Sequence, residues 1–283
     1  MENYREVLYP YAYNILGSSD EANDVIQEVV INYLSVKKDH IDNKKNYLIK
    51  SVINHSINVK NKNKKMVSRD VWLPEPIATE NAETNINLDE IISYSMLVLL
   101  ENLNTNERAV FILKEAFNYS HKDIASLLSF TIENSRKLLS RAKAKLSKSK
   151  EDLSPVNYSD MPFEYLEKYI SVIRNNDIKE LENLLSNEVT LSADGGEDIE
   201  VVREYTSGKS PVRNLLLYVF DKFLKNQTTK FAVVNHPPAI LFYEDSKLMT
   251  CQVFDIDLEN EIIRNIYSVI DPDKLKSINT HNF

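Results

Sequence analysis

"LNTNERAVFILKEAFNYSHKDIASLLSFTIENSRKLLSRAKAKL", residues Leu103 to Leu146, decides how the first half of the chain folds. Apolar residues recur at helical spacing in three runs: Val110, Phe111 and Leu113, then Ile124, Ala125, Leu127 and Leu128, then Leu138, Leu139, Ala142 and Leu146. Ser120 is a candidate N-cap for the second helix, with Asp123 at its third position. The short turn "SFTIEN" separates the second helix from the third. Two amphipathic helices joined this way, the latter basic, read as a helix-turn-helix whose second helix enters a DNA major groove. On that helix Asn134, Ser135, Arg136, Lys137, Ser140 and Arg141 lie in the half where base edges would be met. Lys143, Lys145, Lys148 and Lys150 continue as phosphate contacts, which position without specifying. The charge run alone favours a solvated helix in a bundle; the turn and the paired amphipathic helices point to DNA.

Charge is divided unevenly along the chain. Its formal net charge is -8 over 283 residues. Residues 1–154 hold 21 Lys+Arg and 21 Asp+Glu, whereas residues 155–283 hold 13 and 21, so the whole excess belongs to the second part. Within residues 1–42 acids lead 8 to 3, and within 104–150 bases lead 10 to 4. A polyanion would therefore meet a basic helix in a near-neutral half. The length suits more than one domain, and 43% hydrophobic residues suffice for their cores. One cysteine, Cys251, excludes an internal disulfide and fits a reducing compartment. The N-terminal segment lacks the basic start and apolar run of a signal peptide, and no apolar run approaches the roughly 20 residues of a membrane span. A cytoplasmic protein with no membrane partner is expected.

Gly17 ends a first helix, and residues 18–154 contain no glycine, which predicts an almost wholly helical half. Beyond residue 190 the alternating segments "TKFAVVN", "AILFYE", "LMTCQVFDI" and "IIRNIYSVI" predict strands. The change from all-α to α+β falls near "SKSKEDLSPVNYSDMP", with Pro155 and Pro162. The helical half is itself divided at "MVSRDVWLPEPIATENAETN", where Pro74 and Pro76 exclude a continuous helix. That linker holds the only tryptophan, so Trp72 and Leu73 are expected to dock on a surface. Ahead of it lie an acidic helix with Asp20, Glu21, Asp24 and Glu28 outward, and a helix through Tyr47, Leu48, Val52 and Ile53. The second runs into a basic tail of Lys60, Lys62, Lys64 and Lys65. Opposite charges on successive helices suggest one surface for a basic protein and one for nucleic acid.

In this order the segments resemble the sigma-70 family of RNA polymerase sigma factors, most closely the extracytoplasmic-function type with regions 2 and 4 only. The resemblance implies core RNA polymerase (β′ clamp and β flap) and promoter DNA as partners. Region 2 would then open the −10 element and region 4 would read the −35 element. Carried over by position, Asp20, Glu21, Asp24, Gln27 and Glu28 become the clamp-binding face. Asn54, together with Lys60 and Lys62, becomes a −10 contact. Asn134, Ser135, Arg136, Lys137, Ser140, Arg141 and Lys143 become the −35 reader. Ser129 stands where the family usually has a glycine in the turn.

The second half is similar to the SnoaL-like α+β cone that some members of this family carry. Such members have a "WLPEP" linker, a "DGGGK" stretch and a terminal "NPDKL". Here Trp72, Leu73, Pro74, Glu75 and Pro76 are intact, Asp194, Gly195 and Gly196 lead into Glu197 and Asp198 without the lysine, and Asp271, Pro272, Asp273, Lys274 and Leu275 give "DPDKL". The expected architecture is two all-α sigma domains followed by an α+β cone: 1–65 region 2, 66–87 linker, 88–152 region 4 and 153–283 the regulatory domain. The expected function is promoter-specific transcription initiation modulated in cis by the last domain. The alternative is a polymerase-independent helix-turn-helix regulator with a ligand-sensing domain, which leaves the first 65 residues without a role. Catalysis is not expected. His236 precedes two prolines in a turn, Asp194, Asp255 and Asp257 show no pairing, and no metal cluster, phosphate loop, nucleophile motif or cofactor signature occurs. The cone's pocket is a candidate site for a small ligand.

Overall fold

The computed structural model describes residues 4–35, 43–63, 71–79, 90–147 and 163–279. Expectations placed on Lys64, Lys65, Lys148, Lys150 and the stretch around Pro155 and Pro162 lie outside these residues. The described residues form two compact units. One comprises 4–35, 43–63, 90–92 and 96–147, the other 71–79, 93–95 and 163–279.

The first unit is helical. Its opening helix, α1 (Tyr4–Leu16), stops at Gly17, whose φ of 76° and N–H bond of 2.7 Å to the Tyr13 carbonyl make a left-handed cap. Helices α2 (Ser19–Ser35) and α3 (Lys44–Asn63) bury Val25, Ile26, Val29, Val52 and Ile53 against it. After α4 (Tyr94–Leu100), α5 (Thr105–Phe111) starts from a capping box between Asn104 and Glu107 and widens into a π turn over Ile112–Ala116. Next comes α6 (His121–Leu128), capped by Ser120 and Asp123 as expected. Ser129 then takes a left-handed conformation, φ 56° and ψ 40°, at a cost of roughly 1 kcal/mol relative to glycine, and α7 (Ile132–Leu146) follows.

A buried polar knot ties the early helices of this unit to the later ones. Asn14 on α1 is fully buried. Its side chain donates to the Glu90 carbonyl at 2.8 Å and accepts from the Ile92 amide at 3.1 Å, and its own carbonyl accepts from Arg108 Nε at 3.0 Å. Arg108, 1% exposed, pairs with Glu101. Glu101 also holds Lys60 Nζ at 2.8 Å, and that ammonium donates to the Leu16 carbonyl at 2.9 Å. Lys60 thus departs from its expected place on a nucleic-acid-facing tail. The carboxylate that takes its charge lies 41 residues away in sequence and draws it into the core. Burial, aided by the Arg108 charge, pulls its pKa down to about 8 against the pull of Glu101.

The second unit is a six-stranded sheet backed by helices. The chain runs α8 (Glu164–Arg174), α9 (Ile178–Leu184), β1 (Leu185–Asp194), β2 (Tyr205–Ser207), α10 (Lys209–Val219) with a π turn to Leu224, β3 (Thr228–Val233), β4 (Pro238–Glu244), β5 (Lys247–Asp257), β6 (Ile262–Val269) and α11 (Pro272–Asn279). Strand order is β2-β1-β6-β5-β4-β3, with β1 and β6 parallel and every other pair antiparallel. Register places Ala193, Ser268, Gln252 and Ile240 in one cross-strand row and Asp194, Val269, Cys251 and Leu241 in the next. Successive rows face opposite sides. The first side packs on α8, α9 and α10 through Leu166, Tyr169, Leu181, Leu216 and Phe254. Cys251 is fully buried on the other side, its thiol pKa raised by that burial.

Between about pH 8 and its ordinary value, Lys60 binds fewer protons folded than unfolded, so its contribution to stability rises with pH across that window. The stability difference between the wild-type chain and Lys60→Met is therefore expected to move in favour of the wild type by roughly 1–2 kcal/mol between pH 7.5 and pH 9.5. Denaturant unfolding at the two pH values measures it, and a pH-independent difference contradicts the assignment.

Candidate nucleic-acid interface and linker clamp

Helix α7 carries the basic face. Thr131 Oγ1 accepts from the Asn134 amide at 3.1 Å and fixes its start. Ser135, Leu138, Leu139, Ala142 and Leu146 are buried along one stripe, leaving Asn134, Arg136, Lys137, Ser140, Arg141 and Lys143 exposed. Ser135 is a correction to the sequence reading. It belongs to the inward stripe at helical spacing from Leu138, Leu139 and Ala142, is 0% exposed, and meets His121 Nδ1 at 2.9 Å. Two ion pairs brace α7 against α5 and its π turn: Lys143 to Glu115 at 2.9 Å and Lys145 to Glu107 at 2.6 Å.

Asn54 lies on α3 facing α6. Its side-chain amide donates to the Lys50 carbonyl at 2.9 Å and the Leu127 carbonyl at 3.4 Å, while Lys50 Nζ donates to the Ser126 carbonyl at 3.0 Å. Tyr11 on α1 stacks on Phe117 with ring centroids 4.0 Å apart and meets the Tyr119 hydroxyl at 3.1 Å. Lys62, near the end of α3, is exposed.

On α2, Asp20, Asp24, Gln27 and Glu28 are exposed, whereas Glu21 is half-buried and accepts from the Asn63 side chain. The face continues into two residues that sequence reasoning missed. Ile31 and Leu34 are 56% and 62% exposed, and with Asp20, Asp24 and Gln27 they recur every three or four residues along one side. Their phase, offset from the buried stripe of Val25, Val29 and Tyr33, is the signal that distinguishes them.

The linker segment 71–79 belongs to the α+β unit and is gripped along its backbone. Pro74 and Pro76 have no N–H, so the segment must be held by its other amides and its carbonyls. The Leu73 amide donates to Asp194 Oδ2 at 2.8 Å, and Lys274 Nζ donates to the Leu73 carbonyl at 2.7 Å and to Asp194 Oδ2 at 2.6 Å. That ammonium sits 4.4 Å from the centre of the Trp72 ring. Tyr94 donates to the Pro74 carbonyl and Ser277 to the Pro76 carbonyl, both at 2.7 Å. Asn235 then brackets Ile77, its Oδ1 accepting from the Ile77 amide at 2.8 Å and its own amide donating to the Ile77 carbonyl at 2.9 Å. The Thr79 amide closes the run on the Val233 carbonyl, also at 2.9 Å. Leu73 is 1% exposed, and Pro74, Glu75 and Pro76 are buried.

Three separate sequence stretches therefore meet at one place. Asp194 ends β1. Gly196, at φ 68°, donates its amide to Asp194 Oδ1 at 3.0 Å, and a Cβ there would strike the Asp271 carboxylate. Gly195 leaves no room for a Cβ beside the Ile199 carbonyl. Asp271 caps α11 by accepting from the Asp273 amide at 2.9 Å, Pro272 opens that helix, and Leu275 is buried one position beyond Lys274. Burial alone would raise the Asp194 pKa; the Lys274 charge and the Leu73 and Gly196 amides outweigh it and hold the carboxyl below its usual range. The other acids singled out from sequence have structural partners: Asp257 with Arg264 at 2.6 Å and Asp255 with Asn265 at 2.7 Å. Among the described residues no cluster of His, Cys, Asp and Glu is arranged to hold a metal ion, and no helix is long and apolar enough to cross a membrane.

A family model for sigma-70 region 4 matches residues 94–146. Among characterised proteins, the probable ECF RNA polymerase sigma factor SigI of Mycobacterium tuberculosis is 22% identical over 219 residues, 75% of this chain and 74% of the relative. The ECF RNA polymerase sigma factor SigJ of the same organism is 24% identical over 226 residues, 76% of this chain and 70% of the relative. The crystal structure of M. tuberculosis SigJ shares the fold with a TM-score of 0.76 at 20% identity, covering 97% of this chain and 96% of that one. The chain thus carries a sigma-70 region 4 at the helix-turn-helix, and through the α+β unit it shares the fold of an extracytoplasmic-function sigma factor.

Proposed function

We propose that this transcription initiation factor binds core RNA polymerase through the exposed face of α2 and reads promoter DNA with α3 and α7, while its α+β unit controls it in cis through the linker. The β′ clamp would take Asp20, Asp24, Gln27 and Glu28 together with Ile31 and Leu34, since exposed apolar residues beside charges suit an interface core with a polar rim. The β flap would meet the α4–α7 half. On α7, Arg136 and Arg141 are the candidates for base edges, with Lys137 and Lys143 for phosphates. Such a protein acts in the cytoplasm, where polymerase and DNA are found.

The observation that carries the regulatory part is the grip on residues 71–79. Elements centred at −10 and −35 lie about 25 base pairs apart, which is about 85 Å along B-form DNA at about 3.4 Å per base pair. In the helical unit the reader α3 packs on α6, the helix that leads into the reader α7, with Asn54 reaching the Leu127 carbonyl at 3.4 Å. The unit must therefore part between α3 and α4 to read both elements. The segment joining those helices includes the one held by Asp194, Lys274 and Asn235, so a change in that grip changes the freedom of the two halves to separate.

In transcription reconstituted with core polymerase on a promoter selected by the protein itself, Arg136→Ala and Arg141→Ala are expected to lower output roughly 5- to 100-fold with unchanged thermal stability. Ser135→Ala should instead lower stability. Equal output from both arginine variants contradicts the assignment of α7. In cells carrying a reporter for that promoter, releasing the linker with the paired apolar change Asp194→Leu and Lys274→Met is expected to raise output at least threefold at matched protein levels. Unchanged output would sink control through the linker.

A further inference from the structure

The first side of the sheet and the helices that cover it enclose a cavity of about 450 Å³, within the range of small-molecule sites. Its walls are apolar: Ile170, Leu191, Leu216, Phe220, Phe242 and Met249 are among them. Two polar atoms on lining residues are buried with no hydrogen-bond partner, the Tyr169 hydroxyl and Gln227 Oε1. Tyr169 is 1% exposed, and leaving its hydroxyl unpaired costs about 1–3 kcal/mol. A core position with no other task would be filled as well by phenylalanine. Gln252 and Ser268, also lining residues, bond each other at 3.2 Å. The charged lining residues Glu200, Arg203, Lys222 and Glu244 are all exposed, and two acids offset two bases. They sit with the exposed apolar residues Val202 and Phe223, 47% and 57% exposed, where the cavity meets solvent.

We propose that this cavity binds an uncharged, largely apolar small molecule that carries a carbonyl or hydroxyl oxygen accepting from Tyr169. The apolar walls supply the affinity. A buried charge would find no partner among the inner lining residues and would be excluded by its desolvation cost. Tyr169 gives selectivity, because a ligand with an acceptor satisfies a donor that otherwise stays unpaired.

The site lies one residue from the linker clamp. Ala193, Gln252 and Ser268 line the cavity, and their row neighbours on the same strands are Asp194, Cys251 and Val269, on the opposite side. Occupancy and linker grip thus share β1 and β6.

The full-length protein is titrated with Nile red, an uncharged dye with a carbonyl acceptor, and bound dye is displaced with 2-decanone or with decanoate at pH 8. One saturable site is expected, displaced by the ketone at least tenfold more effectively than by the carboxylate. Leu216→Trp, which fills the cavity, should abolish binding. Tyr169→Phe should weaken dye and ketone by roughly 3- to 10-fold, the loss of one hydrogen bond, with a melting temperature no lower than wild type. Non-saturable binding, equal competition by decanoate, or Tyr169→Phe binding as tightly as the wild type overturns the proposal, whether or not Leu216→Trp folds.

Discussion

The buried pair of Asp194 and Lys274 is the interaction on which the organisation of this chain turns. Neither group has a simple stabilising role. Both are taken largely out of water, and a buried pair of this kind often contributes little compared with an apolar replacement. Its effect is specific rather than strong: each partner has a hydrogen bond left over, and both are given to the backbone of Leu73. An apolar core at this position could bury Trp72 and Leu73, but it could not recognise a peptide unit between a tryptophan and a proline.

That recognition explains why three distant stretches depend on one another. "WLPEP" supplies a segment with few amides, whose Leu73, Pro74 and Pro76 carbonyls accept from side chains. The Asp-Gly-Gly turn supplies a carboxylate at a strand end, with glycines where a side chain would strike Ile199 or Asp271. "DPDKL" supplies a helix start that aims Lys274 at both. The family lysine, replaced here by Asp198, is not needed for this grip, because the cation comes from α11.

Much of this was legible beforehand, and the parts that were not have a common cause. Local signals were reliable: Gly17 stopping α1, Ser120 and Asp123 capping α6, and the alternation of β3 to β6 all act within a few residues. The change of class from helical to α+β was readable for the same reason. Failures arose where a residue's partner is far along the chain. Lys60 reads as part of a basic tail until Glu101 and Arg108 are brought beside it. Asn235 carries no signal of its own in the sequence, because its partner Ile77 lies 158 residues away. Ser135 is a different case: one polar residue in a basic helix reads as exposed unless its phase is taken from Leu138 and Leu139. Ile31 and Leu34 were hidden because composition marks them as core, and only their phase against Val25, Val29 and Tyr33 places them on the outward side.

The grip on the linker is tested most directly by amide hydrogen exchange of the full-length protein, read at Leu73, Ile77 and Thr79. Each amide donates to a partner in the α+β unit. Exchange at all three is predicted to be slower than in a free peptide by a factor on the order of a hundred or more. Lys274→Met is predicted to release Leu73 first, leaving Thr79 on the Val233 carbonyl. Exchange of Leu73 at free-peptide rates in the wild-type protein, or unchanged protection in Lys274→Met, would contradict the account.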